Sequence, residues 1–377
     1  MYDRLVLFPY YLTLKVRNAM FDLGLRKQHS AEVPTICVGN VTVGGTGKTP
    51  HTEMILRMLL AHEDWAYRNI AVLSRGYKRE SRGFQQVVTT GKASFYGDEP
   101  LQIKKKFPAV TVALESNRIR GCDYLCHPDK VRTLRRTRRC VDKNIPAADV
   151  IVLDDAYQYR QLKASLNIVL VDFERPVFSD RLLPIGSLRD LPERIYDADV
   201  IIVTKCDRYI TDWDKTVWAT SLGIRDYDSK TCEGTGHDGR RQKLFFTTIE
   251  YSQPAPIYGE CDPRYIYARN AILFTGIAKD TPLRRYLSDN YRLVEKFRFK
   301  DHHKFSKGDV RAIHSAAMRN STAAIITTEK DAHRIMDFDK LPFMLKERMF
   351  KVPIEVNFVN EREREVFSQT LFNTISK

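Results

Sequence analysis

Residues 42–49 carry side chains with the types and spacing of a phosphate-binding loop: Thr42, Val43, Gly44, Gly45, Thr46, Gly47, Lys48 and Thr49. Glycines let backbone N–H groups turn inward onto phosphate oxygens, Lys48 brings a positive charge, and the Thr49 hydroxyl suits a Mg²⁺ ion. The usual pattern opens with Gly where this chain has Thr42. A glycine-rich turn that binds nothing would not explain why Lys and Thr follow the last Gly. A second group lies 106 residues beyond Lys48, where the apolar run Val150-Ile151-Val152-Leu153 ends in Asp154-Asp155. A carboxylate at a strand end is where a phosphate-loop protein places its second magnesium contact.

Four further segments bear on the chemistry. Ser74-Arg75-Gly76-Tyr77-Lys78-Arg79 follows an apolar run and offers cations, Arg75 among them, to phosphates. Gly97-Asp98-Glu99-Pro100 sets two carboxylates in a turn, where one could take the proton of an acceptor hydroxyl; turns of this composition are also ordinary. Asp301-His302-His303 fits an acid–base pair, a metal site or a plain surface. Val203-Thr204-Lys205-Cys206-Asp207 is similar to the base-reading motif of GTPases but lacks its Asn.

These groups need a scaffold. Short apolar runs at 35–39, 69–73, 109–113, 149–153, 167–171, 199–203, 272–276 and 323–327 alternate with helical patterns. Continuously apolar strands separated by helices point to parallel βαβ units and an α/β sandwich. The phosphate loop follows the first run and precedes a helical segment from His51 to Leu60. The polar, glycine-rich stretch 226–243 reads as a boundary or exposed loop, and Leu244–Tyr251 as an extended connector. The expected organisation is an N-terminal helix over 1–27, a phosphate-loop domain over 28–225 with a return at 359–377, a linker over 226–269 and a smaller α/β domain over 270–345.

The chain has 377 residues, and 61 Lys and Arg against 47 Asp and Glu give a formal charge of +14, so its partners are anionic. Five arginines fall between Arg132 and Arg139, suiting a solvated helix face or anionic lipid. Aromatics are not interleaved there as nucleic-acid stacking would require, and no nucleic-acid partner is expected. Seven scattered cysteines argue against a disulfide framework. Leu5 to Leu14 is almost wholly apolar, and Lys15, Arg17, Arg26 and Lys27 follow. The run is shorter than the ~20 residues a membrane span needs. It suits a helix lying in a membrane interface, or equally one packed on the protein core.

Together the motifs resemble the tetraacyldisaccharide 4′-kinase family of lipid A biosynthesis. The resemblance is carried by Val38-Gly39-Asn40 running into Gly44–Pro50, by Ser74-Arg75-Gly76-Tyr77, by Gly97-Asp98-Glu99-Pro100, and by Asp154-Asp155 with Gln158. Leu182-Leu183-Pro184-Ile185-Gly186-Ser187-Leu188-Arg189 and Thr327-Thr328-Glu329-Lys330-Asp331 continue it in the family's order. It implies a P-loop NTPase-like parallel sheet flanked by helices, with a second, smaller α/β domain. It implies transfer of the γ-phosphate of ATP, with Mg²⁺, to the 4′-hydroxyl of a lipid-linked disaccharide 1-phosphate. The place of work would be the cytoplasmic face of the bacterial inner membrane, held peripherally or monotopically, with no obligate protein partner. Asp98 would be the base, His302 its partner from the second domain, and Lys48 the phosphate-holding cation. Thr49, Asp154 and Asp155 would organise Mg²⁺, while Arg75, Arg118 and Arg189 would meet substrate or phosphate. The rival reading is a P-loop regulatory GTPase or metallochaperone-type ATPase. The family's Asp-Asp-Gly-Phe-Gln-His is replaced in this chain by Asp154-Asp155-Ala156-Tyr157-Gln158-Tyr159, which leaves Tyr159 no role beyond hydrogen bonding.

Overall fold

The computed structural model describes residues 2–132, 144–338 and 340–376. Among the described residues, ten strands precede the first crossing between its two sheets: β1 Thr35–Gly39, β2 Ile70–Ser74, β3 Gln85–Gln86, β4 Thr111–Leu114, β5 Val150–Asp154, β6 Leu166–Asp172, β7 Val200–Thr204, β8 Arg225–Asp228, β9 Glu233–Thr235 and β10 Arg241–Tyr251. Six follow: β11 Ala255–Pro256, β12 Asn270–Thr275, β13 Arg292–Arg298, β14 Ala324–Thr328, β15 Met349–Val352 and β16 Ile354–Phe358.

The larger sheet runs β3-β4-β2-β5-β1-β6-β7-β10-β9-β8, with β16 paired to the far end of β10. From β4 to β10 its neighbours are parallel. Strands covered on both faces must be apolar throughout, and β1, β2, β5 and β7 are buried at every residue. Alternate side chains feed two cores: Cys37, Ile151 and Leu153 face one, and Ile36, Val38, Val150 and Val152 the other. The phosphate-loop helix Lys48–Ala61 and the C-terminal helix Glu361–Ile375 cover the second face. Leu14 of the N-terminal helix Tyr2–Asp22 reaches the first. The smaller sheet, β11-β15-β14-β12-β13, has its own cores around Phe274, Ile325 and Phe350. The fold is thus the expected α/β arrangement of a large, mostly parallel sheet and a second, smaller sheet.

The stretch 226–269 differs from the expected linker. Residues 225–235 form β8 and β9, an antiparallel edge, and β10 is a full member of the large sheet, parallel to β7. The polar look of the segment reflects its place at the edge, where Glu233 pairs with Lys243 and Arg241 instead of filling a core. Strand-like Phe350–Phe358 divides at Pro353: β15 belongs to the small sheet and β16 carries the chain back to the large one. The chain therefore crosses between the sheets twice, after β10 and after β15.

Candidate active site

The parallel strands aim their C-terminal ends at one crevice, and each end contributes a polar group. β1 leads into Asn40 and the glycine-rich loop, β2 ends in Ser74, β5 in Asp154, β6 in Asp172 and β7 in Thr204.

The loop is held from several sides. Gly44 and Gly47 have φ of 92° and 88°, a region that favours glycine. The Val43 N–H donates to Ser187 O at 2.7 Å, Thr204 Oγ1 to Thr46 O at 3.0 Å, and Asn40 Nδ2 to Thr46 Oγ1 at 2.7 Å. Gly47 stands directly before Lys48–Ala61, so the loop's amides and the helix's positive end face the same space. Lys48 Nζ donates to Asn40 Oδ1 at 3.3 Å and lies 3.8 Å from Asp155 Oδ1. Burial pulls its ammonium below the usual range, although Asp155 opposes this.

The adjacent aspartates part company. Asp155 has φ of 50°, and both its oxygens meet the Arg189 guanidinium, at 3.1 Å for Oδ2. Burial would raise its carboxyl, but the Arg189 hydrogen bonds and the Lys48 charge outweigh that and hold it low. Asp154 is 5% exposed; Oδ2 accepts from Ser74 Oγ at 3.1 Å, and Oδ1 is buried with no hydrogen-bond partner among the described residues. Burial, then the charges of Asp155 and Glu99, push Asp154 up to about 6. An orphaned carboxylate oxygen beside the phosphate loop and buried Thr49 fits a Mg²⁺ ion or its bound water. Of the pair, Asp154 has the oxygen to offer.

The other half of the crevice is a seam between the two sheets. Asp98 opens the helix Asp98–Lys106, which packs against the helix Glu329–Met336 after β14. Asp98 Oδ2 accepts from Arg334 Nε at 2.8 Å and Nη2 at 2.6 Å, and lies 3.2 Å from His302 Nδ1. Arg334 is anchored in turn on Gly276 O and Asp331 Oδ1, both at 2.8 Å. One position along, Lys330 meets Glu99 at 2.8 Å. Burial alone would raise Asp98; the His302 hydrogen bond and the Arg334 charge reverse this and bring it to about 2. The Ser74–Arg79 loop closes the side, with the Tyr77 ring edge-on to His302 at 5.8 Å. Residues 204 positions apart in sequence thus share one site.

Arg75 is exposed at the mouth. Arg118 is 2% exposed; it donates to Glu115 O at 2.6 Å and Asp154 O at 3.4 Å, tying the ends of β4 and β5 together, and its Nε has no hydrogen-bond partner among the described residues. Tyr159 OH donates to Asn117 Oδ1 at 3.3 Å. Of the arginine run, Arg132 ends a short helix, and Arg135, Arg136, Arg138 and Arg139 lie outside the described residues. Sequence reading assigned no role to Asn40 or Arg334. Asn40 had a signal, standing between β1 and the loop. Arg334 had only its place one turn beyond Thr327–Asp331.

His51, one turn into the phosphate-loop helix, is fully buried between Gly47 O at 2.7 Å and Thr247 Oγ1 at 2.9 Å. A carbonyl only accepts, so Nδ1 carries the proton in the neutral ring. Burial holds His51 down to about 4. The unfolded chain therefore binds the extra proton first, and stability is lost as pH falls from 6.5 towards 4. Between pH 7 and pH 5 this one group should remove about 2 kcal/mol of stability, and His51→Gln should flatten the acid limb of a denaturant-midpoint profile.

The family model for tetraacyldisaccharide-1-P 4'-kinase matches residues 5–373. The chain is similar to the tetraacyldisaccharide 4'-kinase of Phocaeicola vulgatus, at 35% identity over 96% of this chain and 91% of that one. It is similar to that of Parabacteroides distasonis at 37%, over 95% and 90%. Among solved structures it resembles LpxK from Aquifex aeolicus, crystallised in complex with ATP, with a TM-score of 0.67 and 24% identity over 99% of both chains.

Proposed function

The chain belongs to the tetraacyldisaccharide-1-P 4'-kinase family, and on that premise we propose that it transfers the γ-phosphoryl group of ATP to the 4′-hydroxyl of a tetraacyldisaccharide 1-phosphate, yielding a bis-phosphorylated lipid A precursor. The observation that carries this reading is the Asp98 carboxylate gripped by His302 and Arg334 from the second sheet, on a helix whose next residue, Glu99, bears electrostatically on Asp154 of the first.

ATP would lay its phosphates along residues 42–49, with the loop amides and Lys48 facing the β- and γ-oxygens. Thr49 and Asp154 would hold Mg²⁺, which would supply charge neutralisation for the phosphates. Lys48 would exchange Asp155 for phosphate as its partner. The acceptor hydroxyl would approach Asp98, which takes its proton as the new P–O bond forms and the bond to the ADP oxygen breaks. A carboxylate held near 2 is a weak base at neutral pH but a fully ionised one. That suits a loose transfer, in which the hydroxyl proton leaves late and positioning and charge do most of the work. His302 and Arg334 orient Asp98 and require the two sheets to meet.

The reading is tested by incubating the protein with γ-labelled ATP and a tetraacylated disaccharide 1-phosphate. Label should enter a lipid with two phosphates. Release of label as inorganic phosphate alone would favour the nucleotide-switch reading, which has no support from the family match.

No helix among the described residues is long and apolar enough to cross a membrane. The N-terminal helix docks through Leu14, Asn18 and Phe21, with Tyr10 OH donating to Arg189 O at 3.0 Å and Asn18 Nδ2 to Asp190 Oδ1 at 3.0 Å. Its other face exposes Phe8, Leu12 and Val16, spaced one turn apart, beside a groove of about 390 Å³ lined in part by Met20, Arg17 and Arg26. We read this face as the part that enters the cytoplasmic leaflet of the inner membrane. Replacing Phe8, Leu12 and Val16 by Ser should reduce flotation with anionic vesicles by at least about tenfold, with turnover on detergent-dispersed acceptor largely kept.

A further inference from the structure

Beside the seam of the two helices, away from Asp98, lies a cavity of about 210 Å³. Lys105 and Lys106 reach it from the large-sheet side, at the far end of the helix that begins with Asp98, about 10 Å along its axis. His333 and Lys351 reach it from the small sheet, and Pro256 and Ile257 close it where the chain first crosses between the sheets. Lys351 lies near the end of β15, two residues before the second crossing at Pro353.

The lining has hydrogen-bond donors to spare. His333 is 4% exposed, and neither ring nitrogen has a hydrogen-bond partner among the described residues. Lys106 spends two of its three N–H groups, on Glu53 Oε2 at 2.8 Å and Glu329 Oε2 at 2.6 Å. Lys351 spends one, on Glu329 Oε1 at 3.3 Å. Lys105 makes no ion pair among the described residues; its nearest carboxylate influence is Asp337, which is occupied in capping the amides of Ala93 and Ser94. Glu53 and Glu329 pair with Lys106, and Glu329 with Lys351 as well, but no carboxylate of the described residues lines the space itself. Buried donors without acceptors cost free energy that an acceptor-rich ligand returns. The volume is below that of drug-sized sites and suits a small ion.

We propose that this cavity is a second anion site, distinct from the nucleotide cradle, which takes a small phosphate-type oxyanion between Lys105, Lys351 and His333 and so ties the small sheet to the large one. Its lining comes from both sides of the seam, so the ion binds the joined arrangement better than the parted one. By linkage it favours the state in which His302 and Arg334 hold Asp98. Burial, and then the neighbouring lysine charges, hold His333 near 3, so its ring is neutral at pH 7 and offers one N–H.

The test is calorimetric titration of the full chain with inorganic phosphate and with inorganic diphosphate, at ionic strength held constant with chloride. Lys48→Ala serves as background to disable the nucleotide cradle. Saturable binding of either ion should persist in Lys48→Ala. Adding Lys105→Gln and Lys351→Gln should weaken it at least about tenfold, the loss expected from charge-assisted bonds. His333→Leu, which keeps the bulk and removes the donor, should weaken it less. Amide exchange across 98–106 and 329–336 should slow when the ion binds. Loss of all saturable binding with Lys48→Ala alone would overturn the proposal, as would an unchanged affinity in the lysine pair variant or unchanged exchange at saturation. Both lysines are partly exposed, so thermal midpoints without ion separate a folding defect from a binding one.

Discussion

Asp98→Ala is expected to lower kcat by about 10²–10⁴-fold while the dissociation constant for ATP moves little. The carboxylate sits outside the 42–49 cradle, with its Oδ2 committed to His302 and Arg334, so nucleotide binding does not pass through it. The same change takes from Arg334, which is 8% exposed, one of its two carboxylate partners and leaves it Asp331, and so also loosens the seam. Asp98→Asn separates the two effects: it keeps the shape and part of the hydrogen bonding and removes the charge and the proton-accepting oxygen. If the base assignment holds, Asn is nearly as slow as Ala but melts closer to the unaltered protein. A near-normal kcat for Asp98→Ala, with ATP saturating, would remove Asp98 from the chemistry. Its carboxyl lies near 2, below the ordinary carboxylate value, so its contribution to stability is complete above that ordinary value and lost as pH falls towards 2. Ionisation of Asp98 should therefore leave no inflection in kcat between pH 5 and 9.

Lys48→Ala should damage both steps at once. The ammonium is the cation of the cradle, and losing its charge-assisted bonds to phosphate should weaken ATP at least about tenfold. Loss of charge compensation during transfer should lower kcat by about 10²–10³-fold besides. Nucleotide titration and turnover at saturating ATP read the two effects separately. In the free protein Lys48 also neutralises Asp155 and holds Asn40 Oδ1, so Lys48→Arg, which keeps the charge but not the compact geometry, should restore binding better than turnover.

The parts of this molecule that were legible in its sequence share a physical cause. β1, β2, β5 and β7 are buried on both faces, which demands continuous apolar runs, and those runs stand out. The phosphate loop is local: its glycines, Lys48 and Thr49 fall within one short stretch, and the helix begins directly after Gly47. The edge strands β8 and β9 were hidden because an edge strand meets solvent, and its polar residues look like a loop. The division of labour between Asp154 and Asp155 was hidden too. Two identical side chains in sequence are told apart only by the turn at Asp155 and by Arg189 arriving from 34 residues away. Arg334 could not be found from spacing at all: its role exists only because two helices from different sheets pack side by side.

The central claim is direct passage of a phosphoryl group from ATP to the lipid hydroxyl, with Asp98 receiving a proton and never the phosphorus. Stereochemistry tests this most directly: ATP made chiral at the γ-phosphorus with oxygen isotopes is turned over with tetraacylated disaccharide 1-phosphate, and the configuration of the new 4′-phosphate is determined. One in-line displacement inverts the phosphorus, and inversion is the expected result. Retention would mean two displacements through a phosphorylated enzyme, and would contradict the role of Asp98 as a proton acceptor alone.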